Sequence, residues 1–204
     1  MATFKDLQDR IALDYLNRYD MIPAVKRAIN NAVKCYENQR WWFNETATST
    51  TTTANSSQLG IPSDFLILDR LDLTYSGSRF KLVEDAYDCI AEMNATSATG
   101  VPTLYNYRGD RFELALTPDS AYTATIYYVH SLPALSADSD SNVWTNEAGN
   151  LIAHAACIDV LGSALNINDP RLLQKHERML AMSLKEMHTR NATRLTTRLR
   201  ATSF

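Results

Sequence analysis

Asn38-Gln39-Arg40-Trp41-Trp42-Phe43-Asn44-Glu45, running on into Thr46-Ala47-Thr48-Ser49-Thr50-Thr51-Thr52-Thr53, is where this chain changes its secondary structure. Upstream, Ile22, Val25, Ile29, Ala32, Val33 and Tyr36 recur at three- and four-residue spacing, which predicts a helix with one apolar face. Downstream, residues 46–53 contain six Thr, whose β-branched side chains lose rotamer freedom in a helix and suit a pleated strand. The run has no apolar face, so a polar loop remains the alternative. Adjacent large aromatics at such a junction seal a core more often than they form a stacking platform for a sugar or base. Trp41, Trp42 and Phe43 are therefore read as a structural anchor.

Outward from this switch the pattern is helices, strands, helices. A capping-box-like pair, Thr3 and Asp6, precedes Phe4, Leu7, Ile11 and Tyr15 on one helical face, and the second helix begins near Asp20 and Pro23. After a loop at 54–58, alternating Phe65, Ile67, Leu71 and Leu73 predict a strand that turns at Ser76-Gly77-Ser78 into another over 79–82. Residues 83–93 read as a short helix presenting Ala86, Tyr87, Ile90 and Met93. Strands over 103–107, 111–116 and 121–130, separated by Gly109-Asp110 and Thr117-Pro118-Asp119-Ser120, predict an antiparallel meander. An irregular connector over 132–142 leads to a helix capped by Thr145, and Asp169-Pro170 starts the last one, with Leu173, Leu180, Leu184 and Met187. The fold class is α+β: an antiparallel helical bundle (1–45 and 145–190) with an inserted antiparallel β module (46–135). Together they are read as one composite domain over 1–190, followed by a basic tail over 191–204 without a core stripe, expected to stay extended or mobile until bound.

Composition narrows the function. The formal net charge is −3, yet Arg190, Arg194, Arg198 and Arg200 lie in a terminal stretch without acids, so residues 1–189 carry −7. An acidic body with a basic tail offers no broad surface to nucleic acid. Cys35, Cys89 and Cys157 are an odd, widely spaced set, expected to be buried reduced thiols rather than a disulfide framework. The N-terminus has no signal-peptide pattern and no stretch approaches the roughly 18 apolar residues of a membrane span, so a soluble protein of a reducing compartment is expected, with no membrane partner.

Catalytic patterns fail one by one. His176-Glu177 begins like a zinc-protease helix, but position 180 is Leu180. His154 and Cys157 are one helical turn apart with no further ligands in register, so no metal is expected. Asp138, Asp140 and Asn142 match the first positions of a calcium loop, but Val143 stands where its glycine is needed and Gly149 where its glutamate is. Six glycines provide neither a phosphate loop nor a nucleophile elbow, and no cofactor or catalytic residue is assigned.

The order of patterns resembles that of the head-to-tail adaptor proteins of tailed bacteriophages. The resemblance rests on residues 38–44 with the Thr-rich strand after them, on Ile61-Pro62-Ser63-Asp64-Phe65-Leu66, and on Thr117-Pro118-Asp119 through Tyr127-Tyr128. It continues through Leu132-Pro133-Ala134-Leu135, residues 138–142 and an Ala-rich helix. The family is also similar to the gatekeeper ring proteins of short-tailed phages. The resemblance implies a structural virion protein at the head–tail junction, met in the host cytoplasm during assembly. It implies about twelve copies in a ring joined by heterologous contacts, between the portal protein and a downstream tail or nozzle protein, with DNA passing without sequence-specific contact. It further implies portal binding by the C-terminal segment, here Arg190, Arg194, Leu195, Arg198, Leu199, Arg200 and Phe204. The competing reading is a nucleic-acid-binding module using that Arg-rich tail, with a salt slope of only about 3.6 for four phosphate contacts. A third is an enzyme, for which His130, His154 and the connector acids are the only candidates.

Overall fold

The computed structural model describes residues 1–96, 98–164 and 169–198, without the side chains of 164 and 195–198. In chain order the elements are α1 (Phe4–Asp9), a π-helical turn (Arg10–Tyr15), a 3-10 turn (Tyr19–Met21), α2 (Ile22–Glu37), β1 (Glu45–Thr51), β2 (Gln58–Gly60), β3 (Phe65–Tyr75), β4 (Ser78–Lys81) and β5 (Val83–Glu84). They continue with α3 (Tyr87–Ala95), β6 (Thr99–Gly100), β7 (Leu104–Arg108), β8 (Arg111–Ala115), β9 (Thr117–Pro118) and β10 (Thr123–His130). The chain closes with α4 (Val143–Glu147), α5 (Gly149–Asp159), a π-helical turn (Val160–Ala164) and α6 (Pro170–Arg198). The fold is mixed α and β, and it divides into two compact units: Met1–Phe43 with Leu132–Phe204, and Asn44–Ser131.

The first unit is helical. Thr3 and Asp6 form the predicted capping box, Asp6 N–H donating to Thr3 Oγ1 at 3.2 Å and Thr3 N–H to Asp6 Oδ2 at 2.8 Å. Phe4, Leu7, Ile11 and Ala12 go to the core, and the helix ends at Asn17 with φ of 50°, the left-handed conformation Asn tolerates. Pro23 stands in the first turn of α2, whose buried face is Val25, Ala28, Ile29 and Ala32. Leu151, Ile152, Ala153, His154, Ala156 and Cys157 of α5 are all buried, because this helix packs against α2, α6 and the Arg10–Tyr15 turn. Asn142, not Thr145, caps α4, with Thr145 as the third helical residue of its box. At α6 the expected start holds: Asp169 Oδ1 accepts the N–H groups of Arg171 and Leu172 at 3.0 and 3.3 Å.

The connector over 132–142 is irregular but fastened. Asp140 accepts the backbone N–H of Ser136 and Ala137 at 2.8 and 2.7 Å, and these bonds hold its carboxyl below the usual range. Asp138 bonds Lys26 at 2.7 Å and Gln8 at 3.1 Å, and is lowered mainly by Lys26. The two carboxylates that looked like calcium positions hold this loop to α1, to α2 and to itself.

The second unit contains two four-stranded sheets, ordered β1-β10-β3-β4 and β2-β8-β7-β5, and a small pair, β6-β9. The Thr-rich segment is a strand, running antiparallel to β10 from Glu45↔Val129 to Thr51↔Thr123. Alternate residues Leu71 and Leu73 on β3, and Tyr122, Ala124, Ile126 and Tyr128 along β10, share one core with Leu59, Tyr105, Phe112 and Leu114 of the other sheet. Ser76 and Gly77, with φ of 48° and 77°, make the tight β3–β4 turn.

The alternation expected of Phe65, Ile67, Leu71 and Leu73 breaks within β3, where register shifts against β10 leave Ile67 exposed while Leu68 packs on the core. The last three strands are not a meander: β8 pairs with β2 and β7, while β10 lies between β1 and β3. Alternation fixes which face of a strand is apolar but not which strand lies beside it, and Leu116, at φ of 64°, redirects the chain between β8 and β9. Residues 83–84 are a strand rather than the start of a helix, paired parallel with β7, and β6-β9 is parallel too, so the β portion is not wholly antiparallel. The helix begins at Tyr87, and of the four residues expected on its apolar face only Ile90 is fully buried.

Candidate partner-binding surface

The helical unit gathers its aromatic residues at the end of α2 and around α6. Trp41 is fully buried, donates from Nε1 to the carbonyl of Tyr36 at 3.0 Å, and stacks on Phe43 at 6.3 Å between centroids. Trp144 meets Phe43 edge-on at 5.0 Å and Trp41 at 6.5 Å, and His188 of α6 lies 5.1 Å from Trp41. The neighbouring Trp42 is only half-buried, and its indole carries two guanidinium groups, Arg190 and Arg194, each 4.7 Å from the ring centroid. Two adjacent tryptophans thus divide the work: one fills the core and the other holds cations at the surface.

The residues expected to bind the portal stand in four different situations. Arg190 is engaged: its guanidinium pairs with the Glu147 carboxylate and also donates to the Glu147 carbonyl at 3.2 Å. Arg194 is exposed, with its guanidinium over Trp42. Leu195 and Arg198 belong to the helical backbone of α6, with side chains outside the described residues; Leu199, Arg200 and Phe204 lie outside them altogether. The expectation of an extended tail from residue 191 is corrected, since α6 continues to Arg198. Its later turns are tied to the rest of the helical unit by a bond that hydrophobic periodicity does not register. Asn191 Nδ2 donates to the Arg40 carbonyl at 2.9 Å, and the hydroxyls of Thr189 and Thr193 each donate one turn back at 2.9 Å.

A cleft of about 290 Å³ opens where the first turns of α5 meet α6, lined by Asp6, Arg10, Asn146, Glu147, Glu186 and Arg190 among others. Two of these, Arg190 and Glu147, are an ion pair. A groove of about 470 Å³ in the second unit is walled by Phe65, Ile67, Val83 and Tyr107, with Asp69, Lys81 and Glu84 at its rim. Neither resembles the convergent constellation of a catalytic site. His130, one of the enzyme candidates, has Nδ1 2.9 Å from the carbonyl of Asn44.

His154, a second candidate, meets another histidine. It faces His176 across α5 and α6, Nδ1 to Nδ1 at 3.1 Å, with both rings buried. Neither histidine's position in the sequence shows that the two meet, since the contact spans 22 residues. The available signal was His176 standing at a core position of α6, four residues from both Leu172 and Leu180. No group of three or more metal-ligating residues occurs among the described residues. The three cysteines are free, but only Cys157 is buried as expected, its thiol pushed up to about 12 by burial; Cys35 is exposed and Cys89 half-buried. No helix among the described residues is long and apolar enough to cross a membrane.

A family model described as SU10 adaptor protein matches residues 2–202. No curated protein matches the chain.

Proposed function

The chain belongs to the SU10 adaptor protein family, and from that premise we propose that this structural phage protein sits at the head–tail junction and joins the portal to the next tail or nozzle component. The observation that carries the reading is the family match, which spans both units from residue 2 to residue 202. In this reading the helices of 1–45 and 145–190 act as an antiparallel bundle carrying the β module of 46–135 within one composite domain. About twelve copies close a ring by heterologous contacts, and the ring extends the channel through which DNA leaves the head at genome ejection. An acidic body favours a wall that does not retain phosphate.

The end of α6 is the portal-facing element in this proposal. Arg194 is exposed yet held on Trp42, so part of its freedom is lost before any partner arrives. Carboxylates on a portal surface would receive bidentate, charge-assisted hydrogen bonds from such arginines. Duplex binding through the same tail is opposed by the acidic body, residues 1–189 carrying −7. Electron microscopy of the protein mixed with portal rings tests the reading. A coaxial ring beneath the portal is the expected result, and protein that stays dispersed under conditions where portals are intact overturns it.

A further inference from the structure

The buried histidine pair has no part in the adaptor reading. His154 on α5 and His176 on α6 are 5% and 0% exposed, with their Nδ1 atoms 3.1 Å apart. Tyr15 closes a third side, stacked on His154 at 5.1 Å with 4° between the planes and tilted against His176 at 4.9 Å. Three segments of the helical unit, the Arg10–Tyr15 turn, α5 and α6, therefore meet on two titratable rings.

With both rings neutral, the contact holds one hydrogen: one Nδ1 donates and the other accepts with its lone pair. Nε2 of His176 is buried with no hydrogen-bond partner. Were His154 the donor, His176 would keep its own proton on that Nε2 and bury an unpaired N–H. With His176 donating, Nε2 is a bare lone pair, and an under-satisfied acceptor is tolerated better than an orphan donor. His176 Nδ1–H therefore donates to Nδ1 of His154, whose proton rests on Nε2.

Acid attacks this arrangement in two steps. A first added proton leaves a hydrogen bond possible but buries a charge. The charged groups acting on the pair are Arg10 from the first segment and Lys175 from α6, both cations. Tyr15 and Cys157, the other titratable groups at the cluster, are neutral, and Asp14 is an exposed residue that acts on Tyr15. A second proton sets two N–H donors against each other at 3.1 Å with no lone pair between them. Burial accordingly lowers both rings, His154 to about 4.

We propose that the His154–His176 contact is an acid-sensitive latch fastening α6 to α5, closed while both rings are neutral and opened when the pair takes up protons. Because α6 runs on to Arg190 and Arg194, opening loosens the helix that carries them. The latch stands on the helical unit alone and does not depend on the adaptor reading.

Hydrogen exchange on the full chain tests it. Corrected for intrinsic rates, opening constants of α6 amides should rise about tenfold or more between about pH 7 and about pH 5, while those in the second unit stay level. Nitrogen-15 spectra of the imidazoles should show opposite tautomers at neutral pH, the His176 proton on Nδ1, and titration below the ordinary histidine value. The double variant His154→Leu, His176→Leu should exchange independently of pH over this range. If that variant does not fold, the wild-type measurements decide alone. Flat α6 exchange, or rings titrating at the ordinary value with α6 protection intact, overturns the latch.

Discussion

Trp41 and Trp42 are identical in type and adjacent in sequence, yet their surroundings give them different expected energetics. Trp41 is fully buried among Phe43, Trp144 and His188, so Trp41→Ala should cost roughly 3–5 kcal/mol in denaturant unfolding. Trp42 is half-exposed beneath two guanidinium groups, and Trp42→Ala should cost only about 1–2 kcal/mol. Equal losses from the two would mean that the indole contacts do not separate core from surface in this way. The buried histidines make a residue-level prediction about pH. In the folded protein His154 lies at about 4, below its value of about 6.5 in the unfolded chain, so between these values the unfolded state binds more protons. The contribution of His154 to stability is therefore complete above about pH 6.5 and falls as pH drops toward 4, by up to about 3 kcal/mol. Unfolding free energies measured across that window should show the decline in wild type, with a smaller one in His154→Leu.

Among the elements, two connections that look alike in sequence behave differently. The loop after β1 is exposed at Thr53, Ala54 and Asn55, with Asn55 at φ of 61° and its N–H on the Pro118 carbonyl at 2.8 Å. The exposed connector over 132–142, by contrast, is held at several points through the carboxylates of Asp138 and Asp140. Limited proteolysis should cut at 53–55 well before 136–142, and Asp140→Ala should make the second site the faster one, as mass spectrometry of the fragments would show. Local chemistry is what the sequence displayed well. The Thr3 and Asp6 box, Pro23 and the Asp169-Pro170 start all follow from interactions within a few residues. The alternation expected of Phe65, Ile67, Leu71 and Leu73, by contrast, fails at Ile67, which is exposed where the register against β10 shifts. What stayed hidden depends on neighbours far along the chain. Phe112 and Leu114 mark β8 as a strand, but only tertiary packing pairs it with β2 and β7 instead of β10. The same holds for the candidate surface: the Arg spacing was visible, whereas the placement of Arg190 on Glu147, 43 residues earlier, was not.

For the whole molecule, the proposed attachment depends on how much of α6 belongs to the body and how much is left for a partner. Asn191 reaches the Arg40 carbonyl and Arg194 lies over Trp42, so a chain cut after Arg190 loses contacts of the folded protein as well as any portal contact. Truncation after Arg194 is the cleaner experiment, since it keeps both guanidinium groups on Trp42 and removes only residues 195–204. That protein should melt within a few degrees of the full chain, because what is removed follows the last core residues of α6. Co-sedimentation with portal rings at moderate salt should fall sharply, because Leu195, Leu199 and Phe204 are lost together with Arg198 and Arg200. Arg194→Ala in the full-length chain should weaken co-sedimentation less and should do so in a salt-dependent way. Normal decoration of portals by the truncated chain would move the attachment surface to other parts of the helical unit, and would leave the Trp42 shelf as a local stabiliser of α6.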